Sequence, residues 1–97
     1  MSDFIIGVPY SGCKHKSIIP CTREDEALGI AFGAYLAGKT PLVFMQNNGF
    51  LCCLDLILSV LNPAGVKIDV EIQDRSDGEQ HELVSKLFRR IRPNEKN

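Results

Sequence analysis

Short apolar runs of strand length alternate with helix-length segments along this 97-residue chain. The clearest strand pattern is Val66–Ile72, where aliphatic residues occupy every second position and charged residues stand between them. Two earlier runs of strand length are Phe4–Val8 and Pro41–Gln46, and helical patterns cover Arg23–Ala37, Phe50–Leu61 and Glu79–Ile91. Because parallel strands need long crossover connections, usually helices, this order predicts an α/β fold with a small, mostly parallel sheet flanked by helices.

The later two helical patterns differ in the surface that they are expected to bury. Phe50–Leu61 is apolar on nearly all sides, which predicts a buried helix. Glu79–Ile91 is amphipathic, and its buried stripe is predicted to consist of Leu83, Val84, Leu87 and Ile91.

The first helix has recognisable signals at both ends. Thr22 is its predicted N-cap, with Asp25 three residues later as an imperfect capping box. Gly38 stands where the helix should stop. A further short strand is predicted at Ile18–Ile19, but too few residues join it to Phe4–Val8 for a parallel crossover. Either the first strand pairs differently, or Ile18–Ile19 is little more than a turn.

Composition narrows the class of protein. Hydrophobic residues make up 44% of the chain and charged residues 24%, as in a soluble globular domain. We expect one domain at residues 1–93 and a polar tail at 94–97. The net charge of −1 gives no argument for a nucleic-acid surface. No signal peptide is visible and the longest apolar run is well short of the ~20 residues of a membrane span, so we expect a cytoplasmic protein.

The cysteines indicate a reducing environment. There are four, none in a C-x-x-C pair and none with a histidine at zinc spacing, namely Cys13, Cys21, Cys52 and Cys53. We therefore predict free thiols and no metal site in this chain. Cys52 and Cys53 lie in an apolar stretch and are interpreted as small core residues.

Candidate site residues lie where strands are predicted to end and helices to begin, since ligands gather there in α/β folds. The three segments concerned are Pro9–Lys16, Thr22–Glu26 and Gln46–Gly49. The acidic cluster Glu24-Asp25-Glu26 either stabilises a helix dipole or turns one carboxylate to a ligand, and the spacing does not choose between these.

Four segments carry a more specific signal: Gly7–Gly12 (Gly-Val-Pro-Tyr-Ser-Gly), Thr22–Lys39, Met45–Gly49 (Met-Gln-Asn-Asn-Gly) and Asp77–His81 (Asp-Gly-Glu-Gln-His). In this order they resemble the pyrimidine-binding (Pyr) domain of the sulfopyruvate and phosphonopyruvate decarboxylases, which depend on thiamine diphosphate. The resemblance covers most of residues 4–82 and implies a trimmed Pyr-type fold.

The resemblance implies roles for particular residues. A glutamate near this helix start hydrogen-bonds N1′ of the cofactor's aminopyrimidine ring and activates the cofactor. In the family this glutamate lies nine residues before the glycine of a Gly-Tyr-Ala-like segment. That glycine corresponds to Gly33 here, so the resemblance implies that Glu24 is the glutamate. The loop Gln46, Asn47, Asn48 and Gly49 is implied to lie beside the pyrimidine, although Asn48 is equally explained as a helix N-cap. Ser11, His15 and His81 are weaker substrate candidates, and a plain surface histidine is the alternative for His15 and His81.

The helix after Glu24 is rich in small residues, with Gly29 and Gly33 inside it. Glycine inside a helix costs about 1 kcal/mol relative to alanine, so two of them indicate close packing. The packing partner is either this chain's own sheet or, as the resemblance implies, a second subunit.

The chain departs from the family pattern in three places. The loop after Gly12 is short where relatives have a helix, and Phe50–Asp55 replaces a segment that usually reads Leu-Gly-Asn-Ser-Ile-Asn. Relatives also continue for several elements after the Gln-His segment. These departures put activity in doubt more than ancestry.

The family's diphosphate and magnesium are held by a separate domain with a Gly-Asp-Gly…Asn motif, and Gly-Asp-Gly does not occur here. The implied function is therefore the pyrimidine-binding subunit of a heteromeric carboxy-lyase that acts on a β-substituted pyruvate, either 3-sulfopyruvate or phosphonopyruvate. A diphosphate-binding subunit, a second copy of the chain, or both would complete it and hold Mg²⁺. The alternatives are a non-catalytic binding or assembly module that keeps the fold, and an unrelated small α/β domain.

Overall fold

The computed structural model describes residues 2–91, with side chains to residue 90. Three strands and a series of helical segments follow one another along it. In chain order they are β1 (Phe4–Gly7), α1 (Glu24–Leu36), β2 (Pro41–Gln46), α2 (Asn47–Leu51), α3 (Leu54–Leu56), a π-helical segment (Ile57–Leu61), α4 (Asn62–Ala64), β3 (Asp69–Gln73) and α5 (Glu79–Ile91).

The strands form one parallel sheet in the order β1-β2-β3. Ile6 pairs with Val43, and Val43 with Val70, so these side chains form one row on the same face of the sheet. The predicted α/β fold with a small parallel sheet and flanking helices is thus confirmed. The sheet is parallel because β1 and β2 are each followed by a helical crossover that returns the chain to the same end of the sheet.

The helices pack on that face, which we call the inner face. Ala27, Leu28 and Ala31 of α1 are buried against the row formed by the strands. Phe50 of α2 meets Phe88 of α5 edge to face, with ring centroids 5.8 Å apart, and both rings are buried. The main core therefore lies between the inner face and the helical layer.

The opposite, outer face is covered by the loop that follows β1. His15 lies over Phe44, with ring centroids 5.2 Å apart, and Phe44 is fully buried. The Ile18 amide donates to the Ile5 carbonyl at 2.9 Å, yet no strand forms there. The predicted strand at Ile18–Ile19 is therefore wrong, and the alternative of a turn is correct, because a loop this short can touch the edge of β1 but cannot cross back over the sheet.

The middle helical segment differs from its prediction. The prediction of one continuous buried helix at Phe50–Leu61 is wrong. Helical structure begins earlier, at Asn47, is interrupted by a turn at Cys52–Cys53, and then continues through the π-helical segment. Leu58 and Val60 are 63% and 37% exposed. An apolar sequence on all sides does not by itself show that every side has a partner. Helical structure continues past Leu61 through α4 and stops at Gly65, which has a φ of 70° in the left-handed region.

The last helix has the predicted bounds but a different buried side. Ser85 and Phe88 are buried, whereas Leu83 and Leu87 are 63% and 51% exposed. The stripe predicted to be buried is therefore wrong at these two leucines. Its fourth member, Ile91, lies outside the residues whose side chains are described. The helix is rotated toward Phe88 because that ring fills the space next to Phe50.

The first helix lacks the predicted cap. Arg23 holds the N-cap position without a side-chain hydrogen bond, so Thr22 is not the cap. Glu26 instead accepts a hydrogen bond from the Thr22 amide at 3.1 Å. Gly38, at a φ of 94°, ends the helical turn as predicted. The strand predicted at Val66–Ile72 starts later, at Asp69, and extends to Gln73. Within residues 2–91 no helix is long and apolar enough to cross a membrane.

Candidate functional site

The carboxyl ends of the three strands lie at one edge of the sheet, as parallel pairing requires. Each strand is followed by a helix, so α1, α2 and α5 all begin at that edge. Helix N-termini present unpaired amide groups and a positive dipole end, which favours anionic and polar ligands. Two of the segments singled out in the sequence, Thr22–Glu26 and Gln46–Gly49, therefore lie at the same edge.

Glu24, the first residue of α1, lies over Gly49 of α2. A Cβ built on Gly49 would come within 2.2 Å of Glu24 Cγ, 2.4 Å of Cδ and 2.7 Å of Oε2. Such distances are incompatible with a side chain at position 49 unless Glu24 moves. Because residue 49 is glycine, the Glu24 side chain can occupy the space that a side chain at position 49 would fill. Glu24 and Gly49, which were selected separately in the sequence, are therefore in contact. We call this contact region the Glu24 junction, comprising Glu24, Gly49 and Cys52.

Cys52 is the third member of the junction. Its Sγ lies 3.8 Å from Glu24 Oε1 and donates to the Gly49 carbonyl at 3.1 Å. The interpretation of Cys52 as a core residue is wrong, since it is exposed, whereas Cys53 is fully buried as predicted. Burial raises the pKa of the Cys53 thiol well above its usual range, and the neighbouring Cys52 adds to this. All four cysteines are free, as the sequence predicted.

Asn47 is turned away from the junction and into the protein. It is fully buried, and its Nδ2 donates to Asp74 Oδ1 at 2.6 Å and to the Arg75 carbonyl at 2.9 Å. Its Oδ1 accepts from the Asn48 amide at 2.9 Å. The N-cap position of α2 is Gln46, so the explanation of Asn48 as the helix cap is wrong. Asn48 itself is exposed. Asn47 thus fixes the start of α2 to the segment after β3.

Asp74 is the centre of this network. Besides Asn47 it accepts hydrogen bonds from Ser85 Oγ and Arg89 Nε, both at 2.8 Å. Burial alone would raise the pKa of Asp74, but the hydrogen bonds from Arg89, Ser85 and Asn47 outweigh it and hold that pKa below its usual value. One carboxylate therefore joins β3 to both α2 and α5.

A polar cleft of about 450 Å³ opens beside this network at the carboxyl edge. Its lining residues are Ser11, Gln46, Gln73, Asp74, Arg75, Ser76 and Asp77. Gln46 Nε2 donates to Gln73 Oε1 at 3.0 Å, and Arg75 Nε contacts Asp77 at 2.6 Å. The hydrogen bond from Arg75 lowers the pKa of Asp77. Because Arg75 already pairs with Asp77, the cleft has no excess of positive charge.

The two histidines lie in different places. His15 is on the outer face of the sheet, where Nε2 lies 2.6 Å from Glu71 Oε2. This pairing ties the loop after β1 to β3, which accounts for His15 in structural terms. His81 is in the first turn of α5, half-buried, and its Nδ1 is buried without a hydrogen-bond partner in the described chain.

The two glycines inside α1, Gly29 and Gly33, do not pack against other described residues of this chain. A Cβ at Gly29 or at Gly33 would meet nothing within 4 Å. Packing against the chain's own sheet is therefore the wrong explanation for them. Leu36 on the same helix is 68% exposed. α1 has apolar or small residues on more than one side, and the described chain covers only the side that carries Ala27, Leu28 and Ala31. This favours the alternative, in which the uncovered side contacts another subunit.

The structure thus joins Glu24 to Gly49, places Ser11 and Gln46 in one cleft, and separates His15 from both groups. Sequence reasoning missed Asp74. No local signal identifies it, because its partners are distant in sequence. Within residues 2–91 no group of three His, Cys, Asp or Glu side chains is placed to hold a metal ion.

The fold and site define a small parallel α/β domain with a carboxylate at a helix start, set against a glycine of the neighbouring helix. Comparison with curated proteins gives a more particular relationship. The chain is 39% identical over 85 positions to sulfopyruvate decarboxylase subunit alpha of Methanocaldococcus jannaschii, covering 77% of this chain and 50% of the relative. The same subunit of Methanococcus maripaludis is 34% identical over 85 positions, which cover 77% of this chain and 51% of the relative.

A third relative, sulfopyruvate decarboxylase subunit alpha of Methanothermobacter thermautotrophicus, is 36% identical over 62 positions, which cover 63% of this chain and 38% of the relative. No protein-family profile matches the chain. The chain thus spans about half the length of the first two relatives. The similarities support the resemblance to the sulfopyruvate decarboxylase alpha subunits, and the word subunit in their names implies a partner for those proteins.

Proposed function

We propose that this chain is the aminopyrimidine-binding part of a thiamine-diphosphate-dependent decarboxylase that acts on 3-sulfopyruvate together with a partner chain. The observation that carries the proposal is the Glu24 carboxyl group, seated over Gly49 where α1 and α2 begin. The names of the three relatives support the substrate, and phosphonopyruvate is the second choice.

The Glu24 junction suits an aminopyrimidine ring. Glu24 is half-buried and Gly49 has no side chain, so a flat group can approach the carboxyl group along the start of α2. Glu24 Oε1 has one weak thiol contact, from Cys52 at 3.8 Å, which leaves the carboxyl group capacity for a stronger donor or acceptor. Gln46 and Asn48 stand on either side of Asn47 and would contact the ring's edge.

Bound thiamine diphosphate supplies the electron sink for decarboxylation of a 2-oxoacid. Glu24 holds or releases a proton at N1′ of the ring, and the first turn of α1 keeps its carboxyl group in place for that transfer. Asn47 acts indirectly, because its bonds to Asp74 and Arg75 fix the start of α2 and hence Gly49. We propose that the partner chain holds the diphosphate and Mg²⁺.

The exposed side of α1 is the proposed contact with another subunit. Gly29 and Gly33 allow close approach of a second backbone, and Leu36 offers apolar area at the end of the helix. Glu24 begins the same helix, so a subunit on this side would also enclose the junction and exclude water from it.

The test is co-purification of the chain with its partner from source cells, followed by calorimetric titration of the pair with thiamine diphosphate and assay of sulfopyruvate decarboxylation. Glu24→Gln should abolish turnover while the pair still assembles. Glu26→Gln is the matched control, because Glu26 is in the same turn but bonds the Thr22 amide and should retain activity. Normal turnover of the Glu24→Gln pair would remove Glu24 from the mechanism.

A second candidate function is a non-catalytic assembly module. Asn47 favours it, since its amide is fully engaged within the chain and is not free to contact a cofactor. In that case the chain and its partner form a stable complex that does not bind thiamine diphosphate. The calorimetric titration separates the two functions directly.

A further inference from the structure

Two adjacent cysteines, Cys52 and Cys53, form the turn that interrupts helical structure between α2 and α3. Both sulfur atoms lie against the same group. Cys52 Sγ is 3.1 Å from the Gly49 carbonyl oxygen, and Cys53 Sγ is 3.4 Å from the same oxygen. Both thiols are free. The turn therefore brings two thiols together at one atom of the Glu24 junction.

The two thiols differ in their access to solvent. Cys52 is exposed, whereas Cys53 is fully buried. Burial, the charge of Cys52 and a hydrogen bond with the Cys52 thiol raise the pKa of Cys53, so Cys53 stays protonated near neutral pH. A small oxidant therefore reaches Cys52 first and finds a second thiol beside it. An accessible cysteine next to a second thiol is the arrangement of many redox-responsive sites.

Hydrogen peroxide is an oxidant whose chemistry fits this pair. The Cys52 thiol gives up its proton, and the thiolate attacks one peroxide oxygen. An S–O bond forms, the O–O bond breaks, and the leaving hydroxide takes up that proton to become water. The Cys53 thiol then attacks the sulfur of the Cys52 sulfenic acid, so that an S–S bond forms and a second water leaves with the Cys53 proton. The two sulfurs lose two electrons in total, and the peroxide gains them.

Closure of this bond must change the turn. Consecutive Cα atoms are about 3.8 Å apart, which is less than the roughly 4.4–6.8 Å usual between disulfide-linked cysteines. The turn has to distort, and neither sulfur keeps a proton to donate to the Gly49 carbonyl. Because Glu24 occupies the space that a side chain at position 49 would fill, a shift of Gly49 displaces the carboxyl group. A strained disulfide is also easily reduced, which makes the change reversible.

We propose that Cys52 and Cys53 are a peroxide-sensitive modification site, at which closure of a reversible disulfide moves Glu24 out of the Glu24 junction. The oxidation itself needs neither a cofactor nor a partner. Its consequence for binding rests on the proposed function: with its partner, the oxidised chain binds thiamine diphosphate at least about tenfold more weakly than the reduced chain does.

The test treats the full, reduced chain with hydrogen peroxide. After denaturation, iodoacetamide blocks the remaining thiols, and peptide mass spectrometry locates them. We expect one peptide in which Cys52 and Cys53 are both unblocked and whose mass is lower than that of the reduced peptide by two hydrogen atoms. Dithiothreitol should restore both thiols. The NMR amide shifts of Glu24 and Gly49 should change on oxidation and return on reduction.

Variants separate the two thiols. Cys53→Ser keeps the exposed thiol and removes its neighbour, so oxidation should stop at a sulfenic acid on Cys52, which dimedone labels. Cys53→Ala makes the same test without a hydroxyl group in the core, should the serine variant fail to fold. Cys13→Ser is the matched control, because Cys13 contacts the His15 carbonyl instead, and this variant should form the disulfide as the unaltered chain does.

Three results would overturn the proposal. They are a sulfinic acid at Cys52 while the Cys53 thiol stays free, a disulfide that joins two chains through Cys52, and closure that leaves the shifts of Glu24 and Gly49 unchanged. A pair that fails to bind thiamine diphosphate even when reduced contradicts the proposed function instead. The mass and shift measurements on the chain alone still decide the modification site, so the two failures are distinguishable.

Discussion

Replacing Gly49 with alanine tests the Glu24 junction without any ligand. The new Cβ would lie 2.2 Å from Glu24 Cγ, so one of the two must move. Glu24 is half-buried and flexible, and displacing its side chain into another rotamer costs about 0.5–1.5 kcal/mol. Alanine in place of glycine inside a helix gains up to about 1 kcal/mol. The two effects nearly cancel, and we expect the free energy of unfolding to change by less than about 1 kcal/mol.

Gly7→Ala is the matched comparison, because its Cβ would also meet an atom at 2.2 Å. Here the atom is the backbone carbonyl oxygen of Phe44, and the ring of the same residue lies at 2.8 Å. Neither can withdraw without separating β1 from β2, so we expect a loss of about 2 kcal/mol or more. Urea denaturation of both variants measures the difference.

The double variant Gly49→Ala/Glu24→Ala completes the cycle. Removing the Glu24 side chain should relieve the clash, so the double variant should be more stable than the sum of the single changes predicts. A Gly49→Ala variant as unstable as Gly7→Ala, or additive effects in the cycle, would refute the placement of Glu24 over Gly49. If the placement is right, Gly49→Ala should also abolish thiamine diphosphate binding by the assembled pair.

Three further predictions concern other parts of the molecule. Gly29→Ala and Gly33→Ala should each stabilise the isolated chain by about 0.5–1 kcal/mol in urea denaturation, since the new methyl groups meet no other described residue. The same changes should weaken assembly with the partner, measured by analytical ultracentrifugation. Asp74→Asn should cost about 1–3 kcal/mol near neutral pH. The pKa of Asp74 is depressed in the folded state, so the stability that its carboxylate contributes is present above the ordinary pKa of 3.8 and is lost as the pH falls through the pKa of the folded state. The free energies of unfolding of the unaltered chain and of Asp74→Asn, measured with urea, should therefore converge in acid. Iodoacetamide should modify exposed Cys52 and spare buried Cys53, as peptide mass spectrometry will show, and Cys52 alkylation should block cofactor binding.

The order of strands and helices was determined by local patterns in the sequence. Pro41–Gln46 and Glu79–Ile91 have the bounds that their apolar and amphipathic patterns predict. Gly38 ends α1 because a left-handed residue is needed there, and glycine adopts that conformation without strain. The family resemblance likewise selected Glu24 and Gly49 from the sequence alone, although nothing in their spacing shows that they touch.

Only the tertiary structure decided which surfaces are covered and which polar groups meet. Leu83 and Leu87 satisfy the pattern of a buried stripe, yet Phe88 takes the buried position because Phe50 stands opposite it. Asp74 gains its role from partners 27, 11 and 15 residues away, and such pairings arise only when β3, α2 and α5 come together. The sequence by itself thus determined the elements and the candidate residues, since these depend on neighbours along the chain. Packing decided the junction and the Asp74 network, because each depends on contacts between segments that are remote in sequence.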